Sequence, residues 1–139
     1  MANTATHSLF QSYPLDNDLQ MAKLVAEGLP AATLRHLAAA FQTMPSGMAS
    51  LVNITEKTIL RRLSAKGRLK PDESERVARI MRVFDRAVDV LQSEDKARRW
   101  LAKPLRVLDG KSPMQLMVSE PGAREVEQVL GRLEHGVFA

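Results

Sequence analysis

Apolar residues recur along most of this chain at intervals of three and four, and β-branched or aromatic residues alternate nowhere for long. That is the 3.6-residue period of helices with one buried face, so the pattern predicts an all-α protein. A polar arm over residues 1–15 ends at Tyr13-Pro14. Asp16 or Asp18 is placed to cap a short helix with Leu19, Leu24 and Val25 as its apolar positions, and Gly28 ends it. Pro30 suits the first turn of a second helix, in which Leu34, Leu37, Ala38 and Phe41 face inward and which stops before Pro45.

The stretch from Pro45 to Gly67 predicts a helix–turn–helix. Pro45 to Val52 forms the first helix, and Asn53 the turn, because Asn is one of the few non-glycine residues that tolerate positive φ. Thr55 caps the second helix, with Ile59 and Leu63 inward and Gly67 at its end. Small Ala49 suits a close crossing of the two helices, and Ile54 fills the corner. A longer helix opens at Pro71, with Asp72 as cap and Glu75 three residues on. Its residues Val77, Ile80, Met81, Phe84, Val88 and Leu91 make one apolar stripe. Ser93-Glu94-Asp95 starts another helix, with Ala97, Trp100 and Leu101 inward, which Pro104 halts. After a turn over Leu105 to Asp109-Gly110, Ser112-Pro113-Met114-Gln115 is a hydroxyl cap with proline first and glutamine third. Leu116, Met117 and Val118 continue that helix. Pro121-Gly122 opens the last, with Val126, Val129, Leu130 and Leu133 on one face and Gly136 at its end. Val137-Phe138-Ala139 then forms an apolar tail with no evident reason to be there unless it packs on something.

The composition narrows the function classes. The chain has 139 residues, 45% of them hydrophobic, which suits one globular domain or two very small ones. It has no cysteine, and its three histidines, His7, His36 and His135, lie far apart, so neither a metal site nor a thiol nucleophile is expected. No Ser/His/Asp set and no glycine-rich phosphate loop is present, so no enzyme activity and no cofactor are expected. His135 beside Glu134 fits a helix end better than acid–base work. Without an apolar run long enough for a membrane or a secretory leader, the chain is expected to be cytoplasmic.

The net charge is +4, unevenly distributed. Residues 57–106 hold fifteen basic and seven acidic side chains, and both flanks are slightly acidic. Such a middle suits a polyanion, or else a solvated helical surface paired with local acids. In a helix–turn–helix the second helix enters the DNA major groove. With Ile59 and Leu63 turned inward, Glu56, Lys57, Leu60 and Arg61 lie on or near the outward surface. Arg61 suits a bidentate contact with guanine, and Lys57 either a base or a phosphate. Arg62, Lys66, Arg68 and Lys70 continue toward where a backbone would run and are expected to hold phosphates. Thr55 and Thr58 at the helix start complete the candidate DNA set. The row Arg79, Arg82 and Arg86 is expected to be a paired face, through Asp72–Arg76, Glu75–Arg79 and the neighbouring Asp85 and Asp89. Glu94–Arg98 and Asp95–Arg99 are expected to pair likewise.

The stretch Trp100-Leu101 … Pro104 … Leu108-Asp109-Gly110-Lys111-Ser112-Pro113-Met114-Gln115-Leu116 … Gly122 … Val126 … Leu130 … Leu133 … His135-Gly136 resembles the toxin-binding domain of the Xre/MbcA/ParS antitoxins. Upstream, Ile54-Thr55-Glu56-Lys57-Thr58-Ile59-Leu60-Arg61-Arg62-Leu63 and Leu69-Lys70-Pro71-Asp72-Glu73-Ser74-Glu75-Arg76 resemble the Xre-like helix–turn–helix that precedes it. The resemblance covers roughly residues 30–138. It implies a helix–turn–helix DNA-binding module joined by a long helix to a small C-terminal helical toxin-binding module. The expected division is residues 1–28 for the arm and short helix, 29–92 for the helix–turn–helix with its connecting helix, and 93–139 for toxin binding. It further implies a type II antitoxin that silences a RES-domain toxin, which consumes NAD, binds operator DNA to repress its own operon, and forms a homodimer. Inhibition in this family comes from the C-terminal domain, which makes Arg124, Glu127, Gln128, Arg132, Glu134, His135, Val137 and Phe138 candidates for the toxin surface. Leu116, Val126, Leu130 and Trp100 are expected to be core. Two other readings remain open at this point: a stand-alone transcriptional regulator, and a protein-interaction adaptor with a degenerate helix–turn–helix.

Overall fold

The computed structural model describes residues 9–136, so Val137 and Phe138 lie outside the described residues. Among these residues the chain is all-α, with eight helices and no strand. None of the helices is long and apolar enough to cross a membrane. The chain divides into two units, one of residues 9–81 and one from Arg82 onward.

The first unit holds α1 (Asp18–Glu27), α2 (Thr33–Ala40), α3 (Ala49–Val52), α4 (Glu56–Ala65) and the opening turns of α5 (Pro71–Leu91). Asn17, not Asp16 or Asp18, caps α1, its Oδ1 accepting the Gln20 amide at 3.0 Å. The inward face of α1 begins at Met21. Leu19, two residues earlier and so on the opposite side, is 68% exposed. α2 starts three residues after Pro30, because residues 29–31 are drawn into a short antiparallel bridge with residues 67–69. The Ala31 amide donates to Gly67 O and the Leu69 amide to Leu29 O, both at 2.8 Å. Gly28 precedes that bridge at φ +94°, and a Cβ there would stand 2.3 Å from Leu69 O. Conformation and space both demand glycine.

A 3-10 turn over Pro45–Met48 leads into α3, and Asn53 follows in the left-handed region at φ 53°. Leu34, Leu37, Ala38, Met48, Val52, Ile54, Ile59 and Leu63 are buried, while Phe41 is only partly so. α4 ends one residue earlier than expected, with Lys66 rather than Gly67 in the left-handed conformation, φ 54°. α5 is also capped in a different register. The Glu73 carboxylate, not Glu75, reaches back to a backbone amide, that of Lys70 at 2.9 Å, and Lys70 O accepts the Ser74 amide at 2.8 Å. Asp72 therefore lies inside the helix.

The second unit comprises the rest of α5, α6 (Glu94–Ala102), a 3-10 turn over Arg106–Leu108, α7 (Pro113–Leu116) and α8 (Glu120–Glu134). The unit boundary falls inside α5, so this helix contributes to both units. Ser93 caps α6 by accepting the Lys96 amide at 3.1 Å. The loop before α7 closes with the Leu105 amide on Lys111 O at 3.0 Å, turning through Asp109 and Gly110 at positive φ. Both halves of the Ser112–Gln115 capping box are present. α7 stops at Leu116, which leaves Val118 41% exposed in the link. Ser119 then caps α8, so the helix begins just before Pro121. The start of α8 lies against the end of α7, and a Cβ on Gly122 would be 1.8 Å from Leu116 O. Phe84, Ala87, Val88, Leu101, Leu108, Met117, Val126, Val129 and Leu130 are buried in this unit. Leu116, Leu133 and Trp100 are only half-buried.

Candidate functional site

The sequence reason for α4 is its cap and its stripe. Thr55 Oγ1 accepts the Thr58 amide at 3.1 Å and donates to Thr58 Oγ1 at 2.9 Å, which fixes the first turn. Ile59 and Leu63, at i and i+4, are buried. Outside that stripe the helix carries Glu56, Lys57, Leu60, Arg61 and Ser64, all exposed. Lys57 and Arg61 sit four residues apart, so their cations project from neighbouring points on one surface. Neither pairs with a carboxylate among the described residues. Of the eight candidate DNA residues, the structure brings Thr55, Lys57, Thr58 and Arg61 together at the N-terminal part of α4.

The other four are placed differently, Lys70 lying exposed just before α5. Arg62 is engaged by Glu73 of α5 in a two-pronged pair, Nε to Oε1 at 3.1 Å and Nη2 to Oε2 at 2.9 Å. Both side chains are largely out of water, 19% and 9% exposed. Burial is the strongest single influence on the Glu73 carboxyl and pushes its pKa up. The hydrogen bonds from Arg62 and the Lys70 amide outweigh it and hold the carboxyl below the usual range. The same pair raises the Arg62 pKa. Arg68 donates to Gly28 O at 2.7 Å, so this guanidinium braces the bridge between residues 29–31 and 67–69. Lys66 is exposed at the far end of α4.

One side chain that sequence reasoning treated as a simple surface pair does more. Arg76 of α5 lies 3.4 Å from Asp72, as the i,i+4 spacing predicts. It also donates to Val52 O at 2.6 Å and to Asn53 O at 3.1 Å. These carbonyls sit at the end of α3 and in the turn, where helix geometry leaves acceptors unfilled. Arg76 thus pins the turn, while Glu73 pins α4. No local signal reveals this, because the partners lie more than twenty residues away.

In the second unit, α8 buries Ala123, Val126, Val129 and Leu130 and turns Arg124, Glu125, Gln128 and His135 to solvent. Glu127 and Glu134 pair with arginines of α5. Glu127 accepts two hydrogen bonds from Arg82, at 3.1 and 3.2 Å, and Glu134 accepts one from Arg86 at 2.6 Å. Burial tends to lower the Arg82 pKa, but the Glu127 and Glu120 carboxylates together more than offset it and the net shift is upward. The arginine row of α5 is therefore paired, as expected, yet its partners from Arg82 onward lie mainly on α8. Arg98 pairs with Asp95, three residues before it, at 2.6 Å. Arg124 lies 3.5 Å from Glu120, and Arg132 is half-buried with a partner of its own. Gln128 and His135 remain exposed, His135 as the last residue of the helix turn. Val107, 47% exposed, and Val118 add apolar surface that the spacing did not assign.

The comparisons with known proteins divide along the same line. Residues 20–82 match the family model of the antitoxin Xre-like helix–turn–helix domain. Residues 86–136 match that of the antitoxin Xre/MbcA/ParS C-terminal toxin-binding domain. A protein named antitoxin Xre from Photorhabdus laumondii is 34% identical over 129 residues, covering 91% of this chain and 86% of that protein. An antitoxin Xre from Yersinia enterocolitica is 45% identical over 87 residues, 62% of this chain and 59% of that protein's length. A Sphingobium protein named Prs ADP-ribosylating antitoxin is 22% identical across 97% of this chain and 88% of its own.

Proposed function

The chain belongs to the Xre antitoxin family, and we propose that it works as a type II antitoxin with two separate binding surfaces. The outer side of α4 holds operator DNA of its own operon, and the second unit covers a toxin. Following the resemblance in the sequence, the toxin is of the RES class and consumes NAD, and the antitoxin acts as a homodimer. The observation that carries the reading is how the cations are distributed. Those of α5 are engaged by carboxylates, Arg76 by Asp72, Arg79 by Glu75, Arg82 by Glu127 and Arg86 by Glu134. Lys57 and Arg61 of α4 are not so engaged among the described residues, which leaves them for a partner that is itself an anion.

On this reading Arg61 and Lys57 meet base edges or phosphates, Thr55 and Thr58 set the helix start against the DNA backbone, and Lys66 adds a flanking phosphate contact. Arg62 and Arg68 support the fold rather than the DNA. The toxin surface is formed by Arg124, Gln128, Arg132 and His135 of α8, with Val137 and Phe138 following it in the chain. Glu127 and Glu134 contribute by holding α8 through Arg82 and Arg86. Inhibition is steric and needs no chemistry from this chain.

Co-expression tests the reading. The toxin encoded beside this chain should stop growth alone and permit it when the chain is present. A fragment spanning the operon's promoter should be retained by the purified chain, with affinity falling steeply as salt rises. Continued growth arrest despite ample antitoxin would contradict it.

A further inference from the structure

The outer side of α4 presents one residue that a purely electrostatic contact with DNA does not use. Leu60 is 55% exposed, in the middle of the helix, at the edge of the buried stripe made by Ile59 and Leu63. Its neighbours on the helix surface are Glu56 and Ser64, four residues before and after, and Lys57, three before. An aliphatic side chain with more than half its surface in water gains little from the core, and it cannot bind a phosphate. We propose that Leu60 is a specificity-determining residue that reads a thymine by packing on its C5-methyl group in the major groove. This inference rests on the DNA-binding half of the proposed function.

The chemistry of the groove singles out that partner. Base edges in the major groove offer donors, acceptors and a single apolar feature, the thymine methyl. The occupant is DNA because the helix bearing Leu60 also bears Lys57 and Arg61, cations without carboxylate partners among the described residues. They match a polyanion and oppose an apolar patch on another protein. Glu56, on the same surface, does not contradict this, since a carboxylate in the groove accepts from the cytosine amino group. The helix start fixed by Thr55 and Thr58 and the turn held by Arg76 keep Leu60 at a set height on α4.

Deoxyuridine provides the test, because it pairs as thymine does and lacks only the methyl. The probe is the promoter duplex upstream of the chain's own reading frame, with thymines in the protected region replaced one at a time. For the native chain, at least one replacement should weaken binding about fourfold, the effect of one buried carbon. Leu60→Ala should bind the thymine and deoxyuridine duplexes equally, with an unchanged salt dependence. Leu60→Gln serves as a second variant, and circular dichroism checks that both fold. A native chain indifferent to every replacement, or a Leu60→Ala chain that still discriminates, would overturn the inference while leaving DNA binding intact. A native chain that binds no duplex at all would instead remove the DNA-binding reading, and this inference with it. Retained DNA binding with Leu60 protected only on adding the toxin would assign the residue to a protein interface and overturn the inference too.

Discussion

Arg61 and Arg62 are neighbours of the same type with opposite fates. Arg62 turns toward α5 and is fixed by Glu73, whereas Arg61 points to solvent without a carboxylate partner. Arg61→Ala should therefore reduce operator binding by about 1–3 kcal/mol and relax preference for one base, as competition assays with operator and random duplexes would show. An equal loss on both would make Arg61 a phosphate ligand. Glu73→Gln should instead act on folding, costing about 2 kcal/mol at pH 7 in denaturant titration. Since the folded Glu73 carboxyl titrates below its unfolded value of about 4.3, its contribution is complete above that pH. It is lost as pH falls through the folded value, so variant and native chains should converge in acid. A gap that does not narrow as the pH is lowered into the acid range would contradict the linkage. Caps at Thr55, Ser93 and Ser112 were legible in the sequence because each spans three residues. The reach of Arg76 to Val52, 24 residues away, and of Arg82 to Glu127, 45 away, was not. Nothing in a local pattern encodes which arginine of a row finds a distant carboxylate.

At the scale of elements, the predicted helices form, and the departures lie at their ends. Periodicity reports which side of a helix is buried but says little about where the backbone begins to turn. α2 starts late because Pro30 joins a bridge with Arg68, α5 is capped through Lys70 and Glu73, and α7 stops before Val118. Two glycines in α8 separate packing from conformation. At Gly122 an added Cβ would overlap Leu116 O, whereas at Gly131 nothing lies within 4 Å. Gly122→Ala should destabilise the chain by about 3 kcal/mol, because backbone cannot yield as a side chain can. Gly131→Ala should stabilise it by about 0.5–1 kcal/mol, by restricting the unfolded chain. Thermal unfolding of the two variants reads both signs, and a stable Gly122→Ala protein would contradict the α7–α8 contact.

For the whole molecule, the all-α class and a helix–turn–helix followed by a small helical end module were readable from the pattern. The apolar stripe of α5 runs uninterrupted through Met81, where the first compact unit ends, so this helix contributes to both units. The local excess of positive charge over residues 57–106 misleads when read as a sum. Much of it is neutralised within the fold by Glu73, Glu75, Glu120, Glu127 and Glu134, and Lys57 and Arg61 of α4 are among the cations that keep no carboxylate partner among the described residues. The two binding roles should accordingly separate by mutation. Deleting Gly136–Ala139 should weaken toxin neutralisation while leaving promoter retention unchanged, and Arg61→Ala should do the reverse. Loss of both functions in either variant would show that the surfaces are not independent.

Titration of the purified chain into the neighbouring toxin, with NAD consumption followed directly, tests the central claim. The account expects NAD loss to stop at a fixed molar ratio, with Arg61→Ala as effective as the native chain. NAD consumption that continues unchanged at excess antitoxin would contradict it.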